Sequence, residues 1–264
     1  MSEDHLAKLP EPEVAAWYGR LAKRIGQQRV NGHRPLAAIF LDQWLKNRDP
    51  NSTYRFRAPE YLRNHSRVSE VLKFHRKVFL TKEKARFTSK PEAWAGIIPR
   101  LKGLAGFTKW DPSTILALHY ESLVEFGSSN AEIVYIQKAG SDADKDLFTS
   151  LRGFQLSSDV EVEAAPIAGS KKLTIKFRKW TCVARDRYDF DPKEHFTVPN
   201  PDHGQTLATA VRPEDETITV YHKNAERIEK AGLASPFNVE SEPWSMFDLN
   251  VKEPAEVDPE MELP

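Results

Sequence analysis

The spacing of apolar residues changes once along this chain, near residue 112, and that change limits the fold more than any other feature. Before it, apolar residues recur every three to four positions, the repeat of a helix that buries one stripe. After it they alternate, the repeat of a strand that buries one face. Glu13 to Gln28 sets Val14, Trp17, Leu21 and Ile25 on one stripe, so a helix is expected there. Pro35 opens a second helical run, Leu36 to Arg48, carried by Ile39, Phe40, Trp44 and Leu45. Proline suits such a first turn, where its missing N–H would have no partner in any case. Asn47-Arg48-Asp49-Pro50-Asn51 then stops the run. Ser66 to Arg86 is a third helix, with Val68, Val71, Leu72, His75 and Phe79 near one face. Pro91 to Lys102 is a looser fourth, which Pro99 must kink or end.

Beyond residue 112, Ile115 to Phe126 and Ala131 to Gln137 read as strands around the turn Gly127-Ser128-Ser129-Asn130. Asp144 to Gly153 is a short helix. Asp159 to Glu163 and Leu173 to Trp180 alternate cleanly, and the second run stays apolar through Cys182 and Val183. Thr217 to Tyr221 is a further strand, and Asn224 to Ala231 a brief helix closed by Gly232. Ser235-Pro236 and Pro243-Trp244 mark an extended segment that docks on the body. The expected class is α+β: a helical N-terminal part, residues 1–110, packed on a mostly antiparallel β domain, 111–250, with a disordered acidic tail, 251–264.

Charge divides the chain differently. The totals cancel, 38 basic against 38 acidic residues, which excludes a globally basic nucleic-acid binder. Yet residues 51–110 hold 14 basic and 4 acidic residues, while 212–264 hold 5 and 13. Either the acidic tail folds over the basic segment or that segment meets a phosphate-bearing partner. The lone cysteine, Cys182, excludes an internal disulfide framework and a cysteine zinc cluster. Its place late in an apolar strand argues for packing rather than catalysis. Trp17, Trp44, Trp94 and Trp180 lie on apolar stripes and read as core. No apolar run approaches the ~20 residues of a membrane span. The polar first residues carry no secretory h-region, so synthesis and folding in the cytoplasm are expected.

One stretch carries chemistry: Asp186-Arg187-Tyr188-Asp189-Phe190-Asp191-Pro192-Lys193-Glu194-His195, with Asp202 and His203 shortly after. It follows directly on the long strand that starts at Leu173. Alternation puts Asp186 and Tyr188 on one face and Asp189 on the other, and Asp191-Pro192 ends the strand. The following loop can then turn His195 back toward the carboxylates. Neighbouring carboxylates repel, so one holds its proton to higher pH unless a cation intervenes. Hard oxygen donors such as Asp186 and Asp189 suit Mg²⁺ or Ca²⁺, completed by water and a substrate phosphate. A nearby histidine moves a proton near neutral pH. The same residues equally fit a solvated turn capped by aspartate side chains.

The spacing Asp186-x-Tyr188-Asp189-x5-His195 resembles the catalytic signature of colicin M and related lipid II-degrading bacteriocins. That signature ends in an arginine, where this chain has Phe196; Arg187 and Arg212 are the candidates to replace its charge. The motif spans about ten residues, and residues 1–110 resemble no bacteriocin receptor or translocation domain. The resemblance implies a magnesium-dependent hydrolase that cuts lipid II between the undecaprenyl chain and the pyrophosphate. Asp186 and Asp189 would position metal or polarise water, His195 would be general base or acid, and Tyr188 would orient the leaving phosphate. It further implies an antibacterial toxin acting in the periplasm of a target cell, a cognate immunity protein, and release by lysis or injection by a system such as type VI secretion. Two other functions fit the residues: an adaptor binding a partner through its basic helical half, and a nuclease toxin using the same cluster.

Overall fold

The computed structural model describes residues 6–27, 34–79, 115–125, 142–166, 173–190, 195–199, 201 and 217–246. The protein is of the α+β class. In chain order its elements are α1 (Glu11–Gln27), α2 (Pro35–Lys46), β1 (Thr53–Phe56), α3 (Glu60–Arg63), α4 (Ser66–Phe79), β2 (Ile115–Glu125), α5 (Asp142–Ser150), β3 (Gly153–Pro166), β4 (Leu173–Tyr188), β5 (His195–Pro199), β6 (Thr217–Tyr221), α6 (His222–Lys230), β7 (Phe237–Ser241) and β8 (Trp244–Ser245). The expected helix 91–102, strand 131–137, tail 251–264 and domain boundary near residue 110 lie outside the described residues. No helix among the described residues is long and apolar enough to cross a membrane.

The chain forms two compact units, each drawing on both the helical and the β part of the sequence. The first gathers Met1–Phe56, Glu125–Phe154 and Asp186–Glu240, and the second Arg57–Val124, Gln155–Arg185 and Ser241–Pro264.

In the first unit α1 packs on α2. The α1 stripe read from the sequence, Val14, Trp17, Leu21 and Ile25, is buried as expected. Gly26 of α1 has its backbone against α2: a Cβ there would stand 3.0 Å from the Ala38 Cβ, so even a methyl group would need α2 to give by a few tenths of an ångström. The N-terminus of α2 is capped from far along the chain. Buried Asp146 of α5 accepts hydrogen bonds from the Leu36 and Ala37 amides at 3.1 and 2.9 Å. A carboxylate placed there also meets the positive end of the helix dipole. Phe40 of α2 is the hub of an aromatic core. Its ring meets Phe56 edge-on at 5.2 Å, Tyr188 at 5.6 Å, Tyr54 at 6.2 Å and Phe237 at 6.3 Å. Those partners come from three neighbouring strands, in the order β1-β7-β4. A separate ribbon pairs β5 with β6 antiparallel.

In the second unit the strand order is β4-β3-β2, with the short β8 also on β4. Strands β3 and β4 run antiparallel, with Ser158 opposite Cys182 and Val160 opposite Trp180. The register shifts between Glu161 and Val162, so that Val162 pairs with Phe177. That bulge has a purpose in packing. Phe177 and Trp180 are three apart and would face opposite sides of a regular strand. With the shift both are buried, and their rings stack at 5.3 Å. Helix α4 covers this face through Phe79, which lies 5.7 Å from Trp180 and 6.4 Å from Tyr120, and through His75. The other face carries ion pairs such as Glu161–Lys179 and His119–Asp159.

Candidate functional site

The last three residues of β4, Asp186 to Tyr188, belong to the first unit. Alternation along the strand sets their environment. Ala184 and Tyr188 are buried, Arg185 and Arg187 exposed, and Asp186, in phase with the buried set, is held between. Asp186 is thus a carboxyl on the core-facing side of a strand end. Burial is the main reason that its pKa rises from 3.8 to about 7. A hydrogen bond from the Arg187 backbone N–H pulls the other way, and the nearby charge of Asp189 adds to the rise. The rise brings its titration toward neutral pH, where a carboxyl can give or take a proton.

Asp189 lies just past the strand and is exposed. Its Oδ2 is 3.6 Å from Nε of Arg187, a partly exposed pair that fixes orientation more than it stabilises. Arg187 is also tied to the body: Nη1 donates to the Pro50 carbonyl at 3.2 Å and to Asn238 Oδ1 at 3.3 Å. The structure therefore places Arg187 against Asp189, with Asp186 close enough to feel the Asp189 charge. Arg212 lies outside the described residues, as do Asp202 and His203.

Tyr188 is placed otherwise. Its ring lies in the core, 5.4 Å from Phe237, 5.5 Å from Phe190 and 5.6 Å from Phe40, and burial raises the pKa of its hydroxyl. Its observed part is to anchor the strand end that carries Asp186. His195 enters the description as a backbone position alone: it opens β5, in register opposite Tyr221, where a loop was expected. Residues 191–194 lie outside the described residues.

A third carboxylate, missed in the sequence, belongs to this neighbourhood. Glu229 on α6 accepts a hydrogen bond from the Trp44 indole Nε1–H at 2.7 Å. Burial raises its pKa, the Trp44 bond lowers it, and the charges of Asp189 and Arg187 both reach it. One signal existed. His222 and Glu229 are seven apart, two turns of helix, and so share a face. Only the fold shows that this face meets Phe190, whose ring lies 5.0 Å from that of His222.

Cys182 holds no nucleophile. It is buried, 3.9 Å from Ser158 Oγ, and desolvation pushes its thiol up to about 12. Among the described residues no group of three or more His, Cys, Asp and Glu side chains is placed to hold a metal ion. Mg²⁺ ordinarily keeps most of its water and takes one or two carboxylates, and the link the structure gives between Asp186 and Asp189 is the charge of Asp189 acting on Asp186. No family model, curated protein or solved structure matches the chain.

Proposed function

We propose that the protein is a carboxylate-dependent hydrolase of a polyprenyl-linked pyrophosphate, with lipid II as its substrate and bacterial killing as the outcome. The observation that carries this reading is Asp186: a carboxyl on the buried side of a strand end, beside Asp189, with its pKa near 7. Such a group takes a proton from an attacking water and returns it to the leaving polyprenol oxygen. Asp189 and Arg187 sit at the mouth of the same strand end, and Arg187 supplies the cationic partner for the pyrophosphate. Asp189 directly, and Asp186 through a bound water that leaves it free to carry the proton, would hold Mg²⁺, which would neutralise charge gathering on the phosphate oxygens. His195 joins the set on the resemblance to the colicin M signature.

The deciding experiment incubates the purified full chain with lipid II in detergent and Mg²⁺ and follows release of undecaprenol by chromatography. The reading requires turnover by the unmutated protein and its loss, by about 10²-fold or more, in Asp186→Asn, the usual scale for a general acid–base group. Intact lipid II, or an Asp186→Asn variant as fast as its parent, would refute it.

A further inference from the structure

The Asp189 end of the site is fastened to one side chain, Trp44 of α2. Its indole is fully buried and lies 4.7 Å from the ring of Phe190, the residue that follows Asp189. Phe190 is held on its other sides by His222 of α6 at 5.0 Å and by Tyr18 of α1 at 6.3 Å. The chain leaving Asp189 therefore runs into an aromatic clamp. The same indole donates its N–H, the only hydrogen bond it can make, to Glu229 Oε1 at 2.7 Å. A charge-assisted bond of that length fixes the carboxylate in one orientation. Glu229 stands on the same helix as His222, so its bond to Trp44 also fixes the helix that presents His222 to Phe190. One tryptophan thus sets the backbone after one carboxylate and the orientation of another. A packing residue needs only the first of these contacts.

We propose that Trp44 and Glu229 form a positioning pair for the carboxylate site: Trp44 holds Asp189 through Phe190, and Glu229, bonded to the indole N–H, holds α6 in place and with it the His222 ring that packs on Phe190. The proposal rests on the reading above that Asp186 and Asp189 do the chemistry. Neither residue of the pair touches substrate in this account. A displacement of about 1 Å in a reacting group costs as much as 10²-fold in rate, which gives positioning its leverage.

The test compares Trp44→Phe, which keeps an aromatic ring and loses the N–H, with Glu229→Gln, which keeps shape and loses charge, and with the double variant. Circular dichroism first establishes that each full-length variant is folded. In the lipid II assay each single change should lower kcat about tenfold with KM within twofold, the signature of lost positioning rather than lost binding. The double variant should be no slower than the slower single, because both act on one arrangement. Unchanged kcat in either single variant, or losses that multiply, would overturn the proposal. A second measurement needs no turnover. The indole ¹⁵N–¹H signal of Trp44, assigned by its absence from Trp44→Phe, should move in Glu229→Gln and in Asp189→Asn. If it is blind to both, the pair is not coupled to the site and the proposal fails. Absence of turnover by the unmutated protein counts against the hydrolase reading instead, so the two failures are told apart.

Discussion

His75 should make the second unit acid-labile, and the size of the effect follows from its surroundings. The ring is fully buried beneath α4, with Nδ1 2.7 Å from Ser158 Oγ on β3 and Nε2 2.6 Å from Ser122 Oγ on β2. The edge of Tyr120 closes it at 5.0 Å. Desolvation, aided by the charge of His119, lowers its pKa from 6.5 to about 4. A histidine depressed in the folded state is protonated first in the unfolded chain. Its contribution is therefore complete above pH 6.5 and is lost as the pH falls toward 4. Between pH 7 and pH 4 that loss is about 3 kcal/mol, a large part of a domain's stability. His75→Gln removes the titration but leaves two serine hydroxyls with poorer partners, costing ~1–3 kcal/mol at pH 7. Urea unfolding of parent and variant, followed by circular dichroism from pH 4 to 8, should give curves that converge as the pH falls and meet near pH 4 to 5. Parallel curves, separated by the same free energy at every pH, would show that His75 does not carry this burial.

Asp186 should act with the opposite sign. Its pKa is raised, so the folded state loses stability as the pH rises from 3.8 through about 7, and in excess chelator Asp186→Asn should be the more stable protein at pH 8, by up to ~4 kcal/mol, and equal at pH 4. A variant no more stable than its parent at pH 8 would mean that the carboxyl is solvated. Cys182 should ignore a thiol reagent in the folded protein and react only at the rate of unfolding, since its thiol is buried and pushed up to about 12; immediate labelling would contradict that burial. Tyr188→Ala should cost ~3–5 kcal/mol by emptying the core beside Phe40 and Phe237, whereas Tyr188→Phe should keep both fold and lipid II turnover. A folded Tyr188→Phe variant without activity would restore to the hydroxyl the role that the resemblance gives it.

The elements with strong periodicity were legible because their own burial writes the pattern. The stripe on α1 and the alternation in β3 and β4 are where the sequence puts them. Trp17, Trp44, Trp180 and Cys182 are buried as read. The elements that escaped are short and depend on partners far away in the chain. Thr53–Phe56 is too brief to show a period, and it becomes a strand because β7 lies beside it. His195 was assigned to a loop on the strength of Asp191-Pro192, but pairing with β6 draws His195–Pro199 into a strand. The docking segment after Ser235 was recognised as extended, and Phe237–Ser241 and Trp244–Ser245 are strands. The bulge in β4 left a trace, since Phe177 and Trp180 are both large and apolar at a spacing no regular strand buries.

The site was legible as far as one strand can define it. The period of two placed Asp186 in phase with Tyr188, whose ring enters the aromatic core, and burial is what raises the Asp186 pKa. A tyrosine in phase with an aspartate at the end of an apolar strand is thus a statement about the aspartate: the ring anchors the strand against the core, and the carboxyl two residues earlier is carried to the same side. Moving the aspartate by one position would turn its carboxyl to the exposed face that carries Arg185 and Arg187. What the strand could not define was its surroundings. Trp44 lies 145 positions before Asp189, and Glu229 lies 40 after it. Neither has a local pattern that marks it, because an indole on an apolar stripe and a glutamate on a charged helix are both ordinary. The hydrogen bond that joins them exists only after folding, so no local pattern could reveal it, whereas the two aspartates stand out by their spacing.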